Sequence, residues 1–449
     1  MLAKYIPKSA FFRNVFTLAS GAALSQILSI IVAPINARMY DPHDYGVLGM
    51  YMSVTALVAV VCTFRYETAI LLPEKDEEAI RLMYICLLSG FAIAGMMLIA
   101  VLFWRHNLAN YFQVPQAANW LLFAPLSIAA TAVGNSFTLY NNRRKRYRNI
   151  TLSRLIPALI GTTITLVTPY IVRGPYGLMV SLITIHTLTA LIAMIPALWQ
   201  ESAAFTIPLR SELWVLVKRY RDYPLFSLPA EFINTLANQV PVFFLASYVG
   251  PQAVGYYNMS NRLLGLPTQF VAGAIGDVFR QRASEDYVQH GNCAPIYLKT
   301  FRTLFFIGIV PFGVLLFCAP QLFSFVLGEK WHTAGEYSQI MGLMVFAGFI
   351  VKPLSYMYYI ADKLREDFVL HIYIVVSNIV ALYLGVTYLL APYGVYGVLA
   401  AYTINYISIY ALYLVRTYQF SKGVSRRIDD DPFPKDVLDA ELAAATAEA

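Results

Sequence analysis

The sequence predicts an all-α protein that crosses a membrane many times, and three observations carry that prediction. Of 449 residues, 58% are hydrophobic and only 13% charged, too little charge to cover a soluble protein of this length. Mean hydropathy is +0.57. Apolar runs recur from end to end, each near the roughly 20 residues that a helix needs to cross about 30 Å of hydrocarbon.

Taken in order, the runs place twelve spans, at 15–37, 46–64, 82–104, 120–140, 150–172, 176–199, 223–249, 253–279, 297–327, 338–360, 368–390 and 394–415. The first follows Lys4, Lys8 and Arg13 but is too long for a signal peptide and has no small-residue cleavage site, so it is read as a retained span. Turns at 39–45, 173–176, 250–252 and 391–394 are short and rich in Pro, Gly and Tyr. No connection is large enough to hold a soluble catalytic domain.

Positive residues are retained in the cytoplasm, and they fall on one set of alternate loops. Lys4, Lys8 and Arg13, Lys75 and Arg81, Arg143 to Arg148, Lys218 to Arg221, Arg280 and Arg282, Lys363 and Arg365, and Arg416 to Arg427 share that side. The opposite loops hold little beyond Arg38, Arg105, Arg173 and Lys330. Both termini are therefore expected in the cytoplasm. This scattering also accounts for the net charge of +7 without nucleic acid, which would need one basic stripe.

An internal repeat is visible in the turn chemistry. Tyr40 to Gly46, followed by Met50, parallels Val249 to Gly255, followed by Met259, at an offset of about 209 residues. In each, a proline sets the turn and a glycine four residues on opens the next helix. The expected layout is an N-terminal six-helix lobe over 1–200, a cytoplasmic linker over 201–222, a second six-helix lobe over 223–418 and a tail over 419–449. The lobes are parallel repeats about an axis along the membrane normal, enclosing a central cavity. Linker residues Leu213 to Val217, flanked by Lys218 and Arg219, suit the inner interface.

Ionisable groups at membrane depth are costly and normally face a bundle interior or a wet path. Phe64 to Pro73 is the plainest case, with Arg65 and Glu67 closing an uncharged run. Glu231, Asn234 and Asn238 recur at i, i+3 and i+7, and Asn258, Asn261 and Arg262 at i, i+3 and i+4, so each set lines one helical face. Lys352 lies in the tenth span; Gln26, Asn36, Arg38 and His186 complete the polar residues. The plainer alternatives are that the amides satisfy one another between helices, that Arg65 and Glu67 mark the edge of a span, and that His186 is a packed, hydrogen-bonded histidine and not a proton relay. The run Arg143 to Arg148 sets topology or holds phosphate groups. Cys62, Cys86, Cys293 and Cys318 have no metal-ligand spacing, Asp429 to Asp431 sit in a tail with no attached domain, and no GxSxG, HExxH or P-loop pattern occurs.

The residues Ala33 to Tyr40 running into Pro42 and Asp44-Tyr45-Gly46, then Arg65 to Ile70 with Leu72-Pro73, resemble a Wzx-like polysaccharide flippase. That group belongs to the multidrug/oligosaccharidyl-lipid/polysaccharide (MOP) exporter superfamily. Val254 to Tyr257 and Trp331 after Gly328 echo the pattern in the second half. The resemblance implies alternating access that moves an undecaprenyl-diphosphate-linked oligosaccharide from the cytoplasmic to the outer leaflet of the bacterial inner membrane. It implies no cofactor and no enzymatic step. Arg65, Arg262 and Lys352 are then the expected diphosphate contacts, with Asn234, Asn258 and Asn261 for the glycan, and Glu67 and Glu231 for coupling to H+ or Na+. Membrane lipids, a polymerase and glycosyltransferases are the implied partners. The competing expectations are a drug or small-cation extruder, which would favour an acidic aromatic cavity, and a non-transporting scaffold of a polysaccharide synthase.

Overall fold

The computed structural model describes residues 10–115, 117–201, 205 and 208–423, with side chains from residue 23 onward, and no strand occurs among them. The acidic triplet at 429–431 and the basic residues Lys4 and Lys8 lie outside the described residues. In order the helices are α1 (Ala10–Met39), α2 (Pro42–Val61), α3 (Tyr66–Ala69), α4 (Asp76–Tyr111), α5 (Ala117–Leu121), α6 (Ala124–Arg143), α7 (Tyr147–Val167), α8 (Tyr176–Gln200) and α9 (Arg210–Arg219). They continue as α10 (Leu228–Tyr248), α11 (Pro251–Pro267), α12 (Gly273–His290), α13 (Ala294–Leu327), α14 (His332–Leu354), α15 (Met357–Ile360), α16 (Leu364–Leu384) and α17 (Leu390–Ser421).

The protein is an all-helical, multi-pass membrane protein. Among the described residues, eight helical stretches are long and apolar enough to cross a membrane. The difference from twelve runs has local causes. The expected spans 368–390 and 394–415 fall in one stretch, 364–421, where Gly394 (φ 60°, ψ −154°) breaks the helical path. Helix α11 has only 17 residues, and α10 is diluted by Glu231, Asn234, Asn238 and Gln239.

The chain divides into two compact units. One comprises the described residues up to 265 with 312–344 and 368–406; the other comprises 266–311, 345–367 and the described residues from 407 on. In the first unit, one core joins α3, α4, α6, α8 and α9 around Ile70, Leu82, Phe137, Tyr140 and Leu216. Helix α9 supplies Leu216 to it and leaves Trp214 and Val215 exposed, an amphipathic arrangement suited to an interface.

A second core in that unit joins α1, α2 and α8 to α11, α13 and α14 around Tyr40, Tyr45, Met259, Phe323 and Trp331. Trp331 is fully buried, and its indole N–H donates to the Ala37 carbonyl at 2.7 Å, so its one polar atom is satisfied. Here the repeated turns meet reciprocally. A Cβ on Gly46 would stand 1.8 Å from the Pro251 carbonyl oxygen, and one on Gly255 would stand 1.8 Å from that of Pro42. Glycine is required because backbone meets backbone. Gly49 and Asn258, separated by the same offset, also touch: the Asn258 amide fills the space that a side chain at 49 would take.

In the second unit the Tyr297 hydroxyl bonds that of Thr417 at 2.8 Å, and the Cys293 N–H donates to the Ser421 carbonyl at 2.8 Å. Tyr358, fully buried, packs edge-on against Tyr413 and Phe420. Arg416 pairs with Glu366, and the Arg280 guanidinium lies 4.6 Å over the Tyr356 ring.

Candidate anion site at the end of the second helix

Helix α2 stops at Val61 because the chain turns sharply: Phe64 N–H bonds the Val61 carbonyl, and Tyr66 N–H that of Thr63, both at 3.0 Å. Phe64 (φ 48°) and Arg65 (φ 65°) are both left-handed, a conformation that costs a non-glycine residue about 1–2 kcal/mol. Two such residues in succession need a rigid surround, and strain of this kind clusters at functional sites.

The turn sets one guanidinium between two carboxylates. Arg65 Nη1 lies 3.5 Å from Glu67 Oε1, and Arg65 Nη2 lies 4.0 Å from Glu231 Oε2 on α10. Glu67 is buried and accepts a hydrogen bond from the Thr63 hydroxyl. Arg65 Nε is buried without a hydrogen-bond partner. On either side of Arg65, Phe64 and Tyr66 line a groove of about 410 Å³ with Ile85, Leu88, Leu213 and Pro224.

The segment after Glu67 is held from α6. Arg143 Nε donates to Asp76 at 2.9 Å, while its two terminal nitrogens reach the carbonyls of Pro73 at 2.6 Å and Glu74 at 3.1 Å. Arg144 pairs with Asp76 and Glu201, Arg146 bonds Glu201 at 2.7 Å, and the Tyr140 hydroxyl also donates to Glu201. Three of the clustered arginines thus bind protein carboxylates and carbonyls. The run could be read from the sequence; its partners, distant along the chain, could not.

Burial opposes ionisation of Glu201, but the Tyr140 hydroxyl and the charges of Arg144 and Arg146 prevail and hold its carboxyl below the usual value of 4.5. A group with a depressed folded pKa contributes stability above its unfolded pKa and loses it as pH falls through the folded one. The melting temperature in detergent should therefore drop below about pH 4.5. Glu201→Gln should lower it at neutral pH and flatten the acid limb; an unchanged pH profile in that variant would remove Glu201 from the cluster's energetics.

The other expected site residues have separate surroundings. Arg262, exposed on α11, donates from Nη2 to the Ser29 hydroxyl of α1 at 2.7 Å. Asn258 lies against Gly49, and Asn261 and Tyr402 both share side-chain hydrogen bonds with Tyr257. Asn234 is exposed one turn beyond Glu231, and its carbonyl accepts from the Asn238 amide at 2.9 Å. Lys352 is exposed in the last turn of α14, in the second unit.

The structure therefore brings Arg65, Glu67 and Glu231 together and gives Arg262 a different partner. Sequence reading passed over Thr63, Ser29 and the buried Ser53, whose hydroxyl donates to Gln239 at 2.7 Å; single hydroxyls in apolar helices carry no signal of their own. Of the remaining polar residues, Asn36 bonds Thr165 at 3.1 Å, Arg38 bonds the Phe325 carbonyl at 2.9 Å, and His186 Nδ1 is buried without a hydrogen-bond partner.

Among solved structures, the chain is similar to the lipid II flippase MurJ in an inward closed conformation, with TM-score 0.67 and 15% identity, over 90% of this chain and 89% of that one. It is also similar to an inward-facing multidrug resistance MATE family transporter of the MOP superfamily, with TM-score 0.64 and 16% identity, over 88% and 95%. Likeness at such identities speaks for the fold. The succinoglycan biosynthesis transport protein ExoT of Rhizobium meliloti (strain 1021) is 22% identical over 334 residues, 73% of this chain and 64% of that protein. The chain thus spans less than two thirds of that relative's length. The family described as polysaccharide biosynthesis protein matches residues 35–336, more than half of the sequence, and the chain belongs to that family.

Proposed function

We propose that the chain flips an oligosaccharide linked to undecaprenyl diphosphate from the cytoplasmic to the outer leaflet of the bacterial inner membrane, for surface polysaccharide assembly. It acts by alternating access with both termini cytoplasmic, as a transporter and not as an enzyme. The observation that carries this reading is Arg65, a cation just past the end of the apolar helix α2 with an unpartnered buried nitrogen, flanked in sequence by residues of an apolar groove. A guanidinium matches phosphoryl oxygens in pairs, and the groove suits an isoprenoid chain. Family membership and the MurJ-like fold support the same reading.

In this reading Arg65 receives the diphosphate, Arg262 and Lys352 supply further cationic contacts along the path, and Asn234, Asn258 and Asn261 face the glycan. Glu67 and Glu231 are the carboxylates available to couple transport to H+ or Na+. A polymerase and glycosyltransferases act on either side of the step.

Arg262→Glu and Lys352→Glu, expressed in a strain lacking the gene, should each cut surface polysaccharide by about tenfold or more, as loss of a charge-assisted contact implies. Protein levels in the membrane should hold. Full export by both variants would overturn their assignment as substrate contacts.

A further inference from the structure

We infer that Glu231 is a specificity-determining residue, an internal anion that occupies Arg65 until a more highly charged group displaces it; this rests on the reading that Arg65 receives a diphosphate. The two carboxylates beside Arg65 are not equivalent. The Glu67 side chain is 8% exposed, lies 3.5 Å away and is fastened by Thr63 within the same tight turn. The Glu231 side chain is 37% exposed and lies 4.0 Å away, with no other polar side-chain partner among the described residues. It follows the π-helical stretch Tyr223–Ser227, a feature that often marks functional sites. Of the two, Glu231 is the one that can yield.

The geometry of the guanidinium says what can replace it. Nε and Nη2 form one edge of the planar fork, the edge that takes an oxyanion side-on. Nε has no partner and Nη2 has only the distant Glu231, so this edge is half-used. A phosphodiester headgroup with one negative charge would exchange one monoanion for another and gain little, since half-exposed pairs are worth only about 0–1 kcal/mol. A diphosphate brings more charge and enough oxygens to fill both prongs, and it repels the departing carboxylate. Glu231 thereby keeps the abundant monoanionic phospholipids of the membrane off a site that a diphosphate can still claim.

The test uses the full chain in detergent and three probes: farnesyl diphosphate, inorganic pyrophosphate and dihexanoyl phosphatidylglycerol. Calorimetric titration of the wild type should rank farnesyl diphosphate above both others. Glu231→Gln should bind the phosphatidylglycerol about fivefold tighter and so narrow the preference, while Glu231→Asp, which keeps the charge, should restore it. Arg65→Ala should weaken farnesyl diphosphate sharply. If Arg65→Ala loses the diphosphate but Glu231→Gln gains nothing for phosphatidylglycerol, the role of Glu231 is overturned and the proposed function stands. If Arg65→Ala binds farnesyl diphosphate as the wild type does, the reading of Arg65 itself fails. Equal binding of pyrophosphate and farnesyl diphosphate would overturn the assignment of the site to a lipid-borne ligand.

Discussion

Gly255→Ala should destabilise the protein by about 3 kcal/mol or more, at the upper end of overpacking effects. The added methyl would stand 1.8 Å from the Pro42 carbonyl oxygen and near the backbone nitrogen of Gly46. Neither obstacle is the flexible end of a side chain. Gly46→Ala meets the Pro251 carbonyl in the same way, and because both changes strain one contact, the double variant should lose less than the sum of the two. Gly95→Ala in α4 is the control: nothing lies within 4 Å of its Cβ position, so alanine there should be neutral or stabilising by about 0.5–1 kcal/mol. Thermal unfolding in detergent, followed by tryptophan fluorescence, reads all four. A Gly255→Ala protein as stable as the wild type would mean that α2 and α11 do not approach as described.

Arg65→Glu should abolish transport, by about a hundredfold or more, through two effects acting together. It removes the cation assigned to the diphosphate and places a third carboxylate beside Glu67 and Glu231, where like charges at short range cost several kcal/mol. Arg65→Lys keeps the charge but loses the fork, and its left-handed backbone stays equally strained, so it should retain a fraction of the activity. Surface polysaccharide measured against protein level in the membrane separates loss of transport from loss of insertion.

How much of this was legible beforehand depends on the range of each interaction. The apolar runs announced the helices because span length is a local property of the chain. Pro42 with Gly46 and Pro251 with Gly255 announced a repeat, since turn chemistry is local too. That the two turns meet face to face was not legible, because periodicity shows which face is apolar and not which helix covers it. Arg65 and Glu67 stood out as neighbours, while Glu231 was visible only as a polar residue on its own helix; their meeting is a tertiary fact. The partners of the arginines after Tyr140 were hidden for the same reason, as Asp76 and Glu201 are remote in sequence. Breaks such as Tyr223–Ser227 and Thr268–Ala272, π-helical in an otherwise apolar pattern, left no mark in composition.

Under the proposed function, one arginine at the end of α2 receives the diphosphate of a lipid-linked oligosaccharide that the chain carries across the bilayer. The most direct test is a translocation assay in proteoliposomes holding the purified full-length chain and a fluorescent oligosaccharide on undecaprenyl diphosphate, with the outer leaflet sampled over time. Rapid exchange is expected with the wild type, and a rate at the protein-free background with Arg65→Glu. Background rates for the wild type, or an undiminished rate for the variant, would contradict this reading.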